Sequence, residues 1–306
     1  MKRIFITGIA GFIGFHLARF LRKRGDEVHG FDNFSPYYSV AYKKQRAAIL
    51  EKEGIHLAPP QDLRNFTHFV HLAAQPGVRY SLSHPEVYAD CNLKLFVDIL
   101  ELCRKYQLPL IYASSSSVYG LNQKIPFSEK DPVEEPANLY AATKRANELM
   151  AFSYHHLYKI PVTGLRYFTV YGPWGRPDMA YFSFAKAIKQ GIPIQLYNGG
   201  NMKRDFTYID DIVQGTVAAI DHSFPCELFN LGNHRAEELP FLISLLEKGL
   251  NKKAVIEYLP MQAGDMKETL ADLSKSKRLL NYSPQTPLVE GITKFTDWIK
   301  SEAIML

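Results

Sequence analysis

Short apolar runs alternate with amphipathic stretches of helical length through the first half of the chain. The runs read "RIFITG", "EVHGFD", "HFVHLAA", "PLIYASSS" and "PVTGLRYF". Between them lie "GFHLARFLRKRG", "AYKKQRAAILEKEG", "DCNLKLFVDILELCRKYQ" and "YAATKRANELMAFSYHHL". A strand returning parallel to its neighbour needs a crossover of about a dozen residues or more, which a helix supplies. The pattern predicts an α/β fold, a Rossmann-type doubly wound parallel sheet with helices on both faces. Residues 1–168 are assigned to this domain. One stretch is too short: "IHLAPPQDLRNFTH" alone separates Gly54 from "FVHLAA". Either the crossover near 55–67 is shortened or one strand of the sheet is missing.

From Thr169 onward Pro173, Pro177, Pro193 and several glycines separate short elements. Residues 169–306 are expected to form mainly a smaller α/β lobe, with some chain returning to the first domain. Such a lobe stands over the carboxyl ends of the strands, where ligands of open α/β sheets bind.

Composition narrows the function. A hydrophobic content of 46% with 22% charged residues is ordinary for a soluble globular enzyme. Cys91, Cys103 and Cys226 are too widely spaced for a CxxC pair or a disulfide framework, which fits a reducing, cytoplasmic setting. No apolar run approaches the ~20 residues that cross a bilayer, so no membrane partner is expected. The glycines, His16 and Arg19 within the N-terminal apolar stretch mark it as folded structure rather than a signal peptide. A net charge of +5 suits a small anionic ligand. Basic blocks with interleaved aromatics are missing, which argues against nucleic acid, and no His/Cys/carboxylate cluster has metal-ligand spacing.

"TGIAGFIG" (Thr7–Gly14) follows an apolar strand and opens a helix. Gly8 permits the turn, Gly11 lets the backbone approach a pyrophosphate, and Gly14 lets helix and strand pack closely. The anion then sits at a helix N-terminus. Asp32, at the end of the next strand in "VHGFDNFS", is placed to bind ribose hydroxyls, which favours NAD over NADP. An Asx turn is the alternative role for Asp32.

"YAATK" sets Tyr140 and Lys144 on one helix face at i, i+4. The ammonium is expected to draw the tyrosine pKa from ~10 toward neutrality, so that the phenol can serve as a base. Upstream, Ser114–Ser117 leave a buried strand at its carboxyl end. Side-chain alternation sends Ser115 and Ser117 one way and Ser114 and Ser116 the other, unless the chain bends. His71 in "VHLAA" reads as a satisfied strand-end histidine.

Taken together, "TGIAGFIG", "FDN", "HLAAQ", "SSSSVYG", "YAATK" and "RYFTVYGP" resemble the extended short-chain dehydrogenase/reductase family, and the likeness continues through "MKRDFTYIDDIV" and "QAGDMKETLADLSKSKRLLNYSP". The resemblance implies a Rossmann domain holding NAD and a C-terminal lobe holding a nucleotide sugar. By position it implies Ser115, Tyr140 and Lys144 as catalytic residues, with Lys144 also on the nicotinamide ribose. It implies NAD contacts from Gly8, Gly11, Phe12, Ile13, Gly14, Asp32 and Asn33. Ala73, Ala74, Gln75, Asn92 and Tyr167 extend that set, and Asp62 and Leu63 match an adenine-contacting pair. Arg204 and Asp265 match nucleotide contacts of the sugar half. The resemblance also suggests a homodimer.

The serine run separates reactions within the family. Dehydratases and decarboxylases carry acids just before V-Y-G, whereas Ser116 and Ser117 offer no second acid/base step. Oxidation and re-reduction at one carbon remain, which is epimerisation. "NFSPYY", "AAQPGVRYSL", "GPWGRPDMA" and "MQAGDM" resemble UDP-glucuronate 4-epimerases, including Gln262 where UDP-glucose epimerases usually have arginine. Ser116, Ser117, Thr169 and Arg176 are the candidates for holding the sugar carboxylate, with Arg79 of similar standing. The alternatives are a UDP-glucose or UDP-N-acetylhexosamine 4-epimerase and, in another class, a non-catalytic NAD-binding sensor.

Overall fold

Odd and even positions of the first strand point to different cores, because both faces of the sheet are covered. In the computed structural model, which describes residues 1–261 and 266–301, Ile4 and Ile6 join one buried cluster and Phe5 the other. The first half runs β1 (Arg3–Thr7), α1 (Phe12–Arg24), β2 (Glu27–Phe31), α2 (Val40–Lys52), β3 (His56–Leu57) and β4 (His68–His71). Two one-turn helices follow, α3 (Tyr80–Ser83) and α4 (Pro85–Tyr88), and a π-helical stretch Ala89–Lys94 leads into α5 (Leu95–Tyr106). Then come β5 (Leu110–Ser115), α6 (Leu139–Tyr158) and β6 (Val162–Tyr167).

The second half contributes β7 (Thr169–Tyr171), α7 (Ala180–Gln190), β8 (Ile194–Tyr197), β9 (Lys203–Tyr208), α8 (Ile209–His222) and β10 (Cys226–Leu231). It closes with β11 (Ala236–Glu238), α9 (Leu239–Leu250), β12 (Ile256–Leu259), α10 (Ser274–Leu280) and α11 (Leu288–Ser301). The main sheet has seven strands in the order β10-β6-β5-β4-β1-β2-β3, every pair parallel. This is the Rossmann-type doubly wound arrangement, with its reversal of strand order beside β1. Two small sheets, β11-β9-β7 and β12-β8, come from the second half.

Helices α5 and α6 cover one face, where Phe96, Ile99, Leu100 and Ala151 pack on Phe5, Phe69, Leu110 and Val162. On the other face Phe15, Leu17 and Leu21 of α1 and Ile212 and Ile220 of α8 meet Ile4, Ile6, Val70, Ile111 and Leu165. Between β3 and β4, residues 58–67 contain neither helix nor strand. Leu63 fills that end of the core with Phe5 and Phe69, and Phe66 meets Phe5 edge-on at 5.6 Å. A loop thus covers sheet that a crossover helix covers elsewhere.

Candidate active site

A cavity of about 810 Å³ runs along the carboxyl ends of the parallel strands. At one end is the turn after β1. Gly8 has φ +74, and a Cβ there would stand 2.7 Å from the Ala73 nitrogen. A Cβ on Gly14 would lie 2.3 Å from the Gly8 carbonyl oxygen, so both positions require glycine. Gly11 caps α1 without any side-chain bond, which leaves N–H groups of the first turn facing an incoming anion. Phe12 and Ile13 line the cavity beside them.

Asp32 forms the Asx turn and also holds the glycine turn. Its Oδ1 accepts from the Phe34 N–H at 2.8 Å, an Asx turn, while its Oδ2 accepts from the Ala10 N–H at 3.1 Å. The carboxylate still lines the cavity, with Asn33 next to it. A glycine cradle at a helix N-terminus and a fixed carboxylate at the neighbouring strand end fit the pyrophosphate and ribose of a dinucleotide. Ala73, Ala74 and Gln75, after β4, and Tyr167, at the end of β6, complete this wall. The Tyr167 hydroxyl turns away to Thr216 Oγ1 at 3.0 Å.

Three expected contacts fall elsewhere. Asp62 is turned outward onto the Arg64 guanidinium, and Leu63 is core, so neither lines the cavity. With the crossover reduced to a loop, Leu63 is needed to seal the sheet. Asn92 stands behind the wall: its Oδ1 accepts from the Gln75 N–H at 2.8 Å and its Nδ2 donates to Thr143 Oγ1 at 3.1 Å. It ties the loop after β4 to α6, from within a π-helical stretch of the kind that often marks functional sites. Asp265 and Gln262 lie outside the described residues.

The hydroxyl-rich end is built by β5 and α6. The β5–β6 register sets Ser115 opposite Tyr167. At Ser116 the chain bends into a short 3₁₀ turn, which brings Ser116 and Ser117 to the cavity with Ser115, whose Oγ accepts from the Ser117 N–H at 3.1 Å. Strand alternation therefore stops at Ser115. Ser114 keeps it, and its hydroxyl points back to donate to Glu148 Oε1 at 2.6 Å. On α6, capped by the Asn138 side chain, Tyr140, Lys144 and Glu148 follow at successive turns.

Tyr140 is hydrogen-bonded to Ser115. Burial pushes its phenol above the ordinary value, while that bond and the charge of Arg176 pull the other way. Lys144 does not draw it toward neutrality as the sequence suggested. The Lys144 ammonium is turned to the Ala113 carbonyl at 2.9 Å, and burial lowers its pKa to about 8, with Glu148 opposing the shift. His71 is bonded to Thr7 Oγ1 at 2.7 Å; burial lowers it to about 3, so it is neutral.

Thr169 and Arg176 line the same end of the cavity. Arg176 Nε donates to Asp178 Oδ1 at 3.1 Å, and Tyr37 donates to Asp178 Oδ2 at 3.1 Å. Burial opposes the charge on both members of the pair, but their attraction wins and keeps both ionised. Arg204 lines the cavity with its Nη1 on the Lys203 carbonyl at 2.9 Å, and Arg79 lies over the Tyr197 ring at 4.5 Å. Asp178, Tyr37 and Lys43 were missed as site residues. The one signal for Asp178 was a carboxylate two positions after Arg176; Tyr37 and Lys43 carried none beyond their segments.

These features define a Rossmann-type α/β enzyme with a nucleotide end and a hydroxyl-rich end on one cavity. Residues 4–232 match the model of the NAD dependent epimerase/dehydratase family. The chain is 45% identical over 328 residues to UDP-glucuronate 4-epimerase 1 of Arabidopsis thaliana, covering 97% of this chain and 76% of that one. An uncharacterized protein of Methanocaldococcus jannaschii is 49% identical, covering 97% and 96%. Among solved structures, the UDP-glucuronic acid 4-epimerase of Bacillus cereus in complex with UDP-glucuronic acid and NAD superposes with a TM-score of 0.91 at 36% identity, covering 97% and 99%. The chain belongs to the NAD dependent epimerase/dehydratase family.

Proposed function

We propose that this protein is an NAD-dependent UDP-sugar 4-epimerase that interconverts UDP-glucuronate and UDP-galacturonate. The observation that carries the reading is the composition of one cavity end. Tyr140 and its partner Ser115 face Ser116, Ser117, Thr169 and Arg176 there, a base beside neutral hydroxyls and a cation, and the carboxylate next to them, Asp178, is engaged by Arg176 and Tyr37. Relatives and structural neighbours named as UDP-glucuronate 4-epimerases support the same substrate.

Bound NAD supplies a reversible acceptor for the hydrogen at the sugar C4. Gly8, Gly11 and Gly14 hold its pyrophosphate, Asp32 its ribose, and Lys144 the ribose nearer the chemistry. Tyr140 takes the proton from the sugar 4-hydroxyl and returns it to the same oxygen once the keto sugar has turned its other face, with Ser115 hydrogen-bonded to that oxygen throughout. The oxidised sugar is a β-keto acid and loses CO₂ readily. Ser116, Ser117 and Thr169 bind the carboxylate with neutral hydrogen bonds, and Arg176 adds charge. Serine cannot shuttle a proton near neutral pH, so the intermediate has one way onward, back through C4.

In this reading residues 1–168 form mainly the NAD domain and 169–306 mainly the sugar-nucleotide lobe, where Arg204 and Asp265 meet the nucleotide. The enzyme works as a cytoplasmic homodimer. Incubating the purified protein with UDP-glucuronate and, separately, with UDP-glucose tests the assignment by NMR of the products. Equilibration of the uronate with its C4 epimer supports it; conversion of UDP-glucose alone overturns it.

A further inference from the structure

Arg46, on α2, is fully buried, and among the described residues its hydrogen bonds all go to neutral oxygens. A guanidinium taken out of water without a carboxylate is expensive to keep. Four acceptors and two aromatic faces hold this one. Its Nη1 donates to the Ala10 carbonyl at 3.0 Å and the Tyr38 hydroxyl at 2.8 Å. Its Nη2 donates to the Gly175 carbonyl at 2.9 Å and also to the Trp174 carbonyl. The Tyr42 ring lies 4.4 Å from the guanidinium carbon.

The carbonyl acceptors belong to two different loops. Ala10 is the middle of the glycine cradle, and its own N–H is held by Asp32. Trp174 and Gly175 immediately precede Arg176. A third bond joins the same parts: His16 of α1 meets the Pro173 carbonyl through Nε2 at 2.9 Å. Burial lowers His16 to about 4, so the ring is neutral and donates from Nε2. Three consecutive carbonyls, 173 to 175, are thus hung on side chains of the two helices that flank the cradle. Trp174 is left-handed at φ 56, a strained state for a bulky residue, and its ring stacks on Tyr42 at 5.4 Å.

We propose that Arg46 is a positioning residue that ties the glycine cradle to segment 173–175 and so fixes where the Arg176 guanidinium stands in the cavity. The part that concerns the sugar carboxylate rests on the uronate reading above. If the tie is cut, Arg176 shifts and the carboxylate of the 4-keto sugar is no longer held. The bond from C5 to the carboxyl carbon can then break, its electron pair passing to the C4 carbonyl as an enolate. CO₂ leaves, C5 takes a proton, and reduction at C4 gives a UDP-pentose.

The test compares wild type, Arg46→Met and Arg46→Lys, each with UDP-glucuronate and with NAD alone. Products are resolved by NMR, NAD affinity is read by calorimetry, and thermal melting reports folding. For Arg46→Met we expect UDP-pentose to rise about tenfold or more as a share of product, and NAD to bind about tenfold more weakly, the scale of the one charged hydrogen bond lost at the cradle. Arg46→Lys keeps the charge but reaches fewer carbonyls, and should fall between. A purely structural role would lower melting temperature and rate alike while leaving product partition untouched. Wild-type pentose share or wild-type NAD affinity in folded Arg46→Met overturns the proposal; should that variant not fold, Arg46→Lys decides by the same two readouts. Wild type that leaves UDP-glucuronate unchanged would instead remove the uronate reading, and the NAD measurement would still decide whether Arg46 braces the cradle.

Discussion

Burial raises the Tyr140 phenol, and only the Ser115 bond and the Arg176 charge offset it. In the ligand-free protein the ultraviolet difference between wild type and Tyr140→Phe should therefore show no tyrosinate below about pH 10, the ordinary phenol value. A tyrosinate step near neutrality would contradict this. Tyr140→Phe should lower turnover by about 10²–10⁴-fold with melting unchanged, the range expected for a lost acid/base group; turnover within a few-fold of wild type would remove it as the base. Burial lowers the Lys144 ammonium to about 8, below its usual range. The unfolded chain then holds more protons than the folded one between that value and ~10.4. Stability should thus rise as pH climbs through the window, by up to about 3 kcal/mol, with the burial cost complete below it. Denaturation of wild type against Lys144→Met across that range checks the slope, and parallel curves would refute it.

At the scale of elements, α6 is joined beneath the catalytic face to β6 by a buried ion pair and to β5 by a hydrogen bond. Glu148 accepts from Arg166 through Nε and Nη2, both at 2.8 Å, and also receives the Ser114 hydroxyl. Glu148→Gln should cost about 3–5 kcal/mol in urea unfolding, because it strands the Arg166 charge in the core; a loss below about 1 kcal/mol, typical of surface pairs, would contradict that. The first serine of the run anchors the strand, and the other three face the cavity. Sequence period alone divided them two and two, since a bend into a 3₁₀ turn leaves no periodic trace. The cradle, Asp32, Tyr140 and Lys144 were legible because each needs a set residue type at a set place in a strand-turn-helix unit. Arg46 and His16 were not, for they sit on helix faces as ordinary polar residues and gain meaning only when segment 173–175 closes over them. Asp62 and Asn92 were misplaced because position in a motif does not report whether a shortened crossover or a π-helical stretch turns a side chain away.

Over the whole molecule, the strand-helix alternation predicted a doubly wound parallel sheet but not its strand order, and β10, which completes the sheet, lies among short elements without that rhythm. The outer face of α6 leaves Leu149, Phe152 and Leu157 at 55%, 60% and 62% exposure. Such an apolar face on a long helix suits a two-fold contact with a second copy. Sedimentation should give a dimer for the wild type and a shift toward monomer for Phe152→Glu; a wild-type monomer at micromolar concentration would contradict the homodimer. In the proposed reaction hydrogen leaves C4 of a UDP-uronate and returns to the same carbon. It is tested most directly by running UDP-glucuronate to equilibrium in D₂O and reading the product by NMR. Retained protium at both C4 and C5 of UDP-galacturonate is the predicted result, and solvent deuterium at either carbon would contradict it.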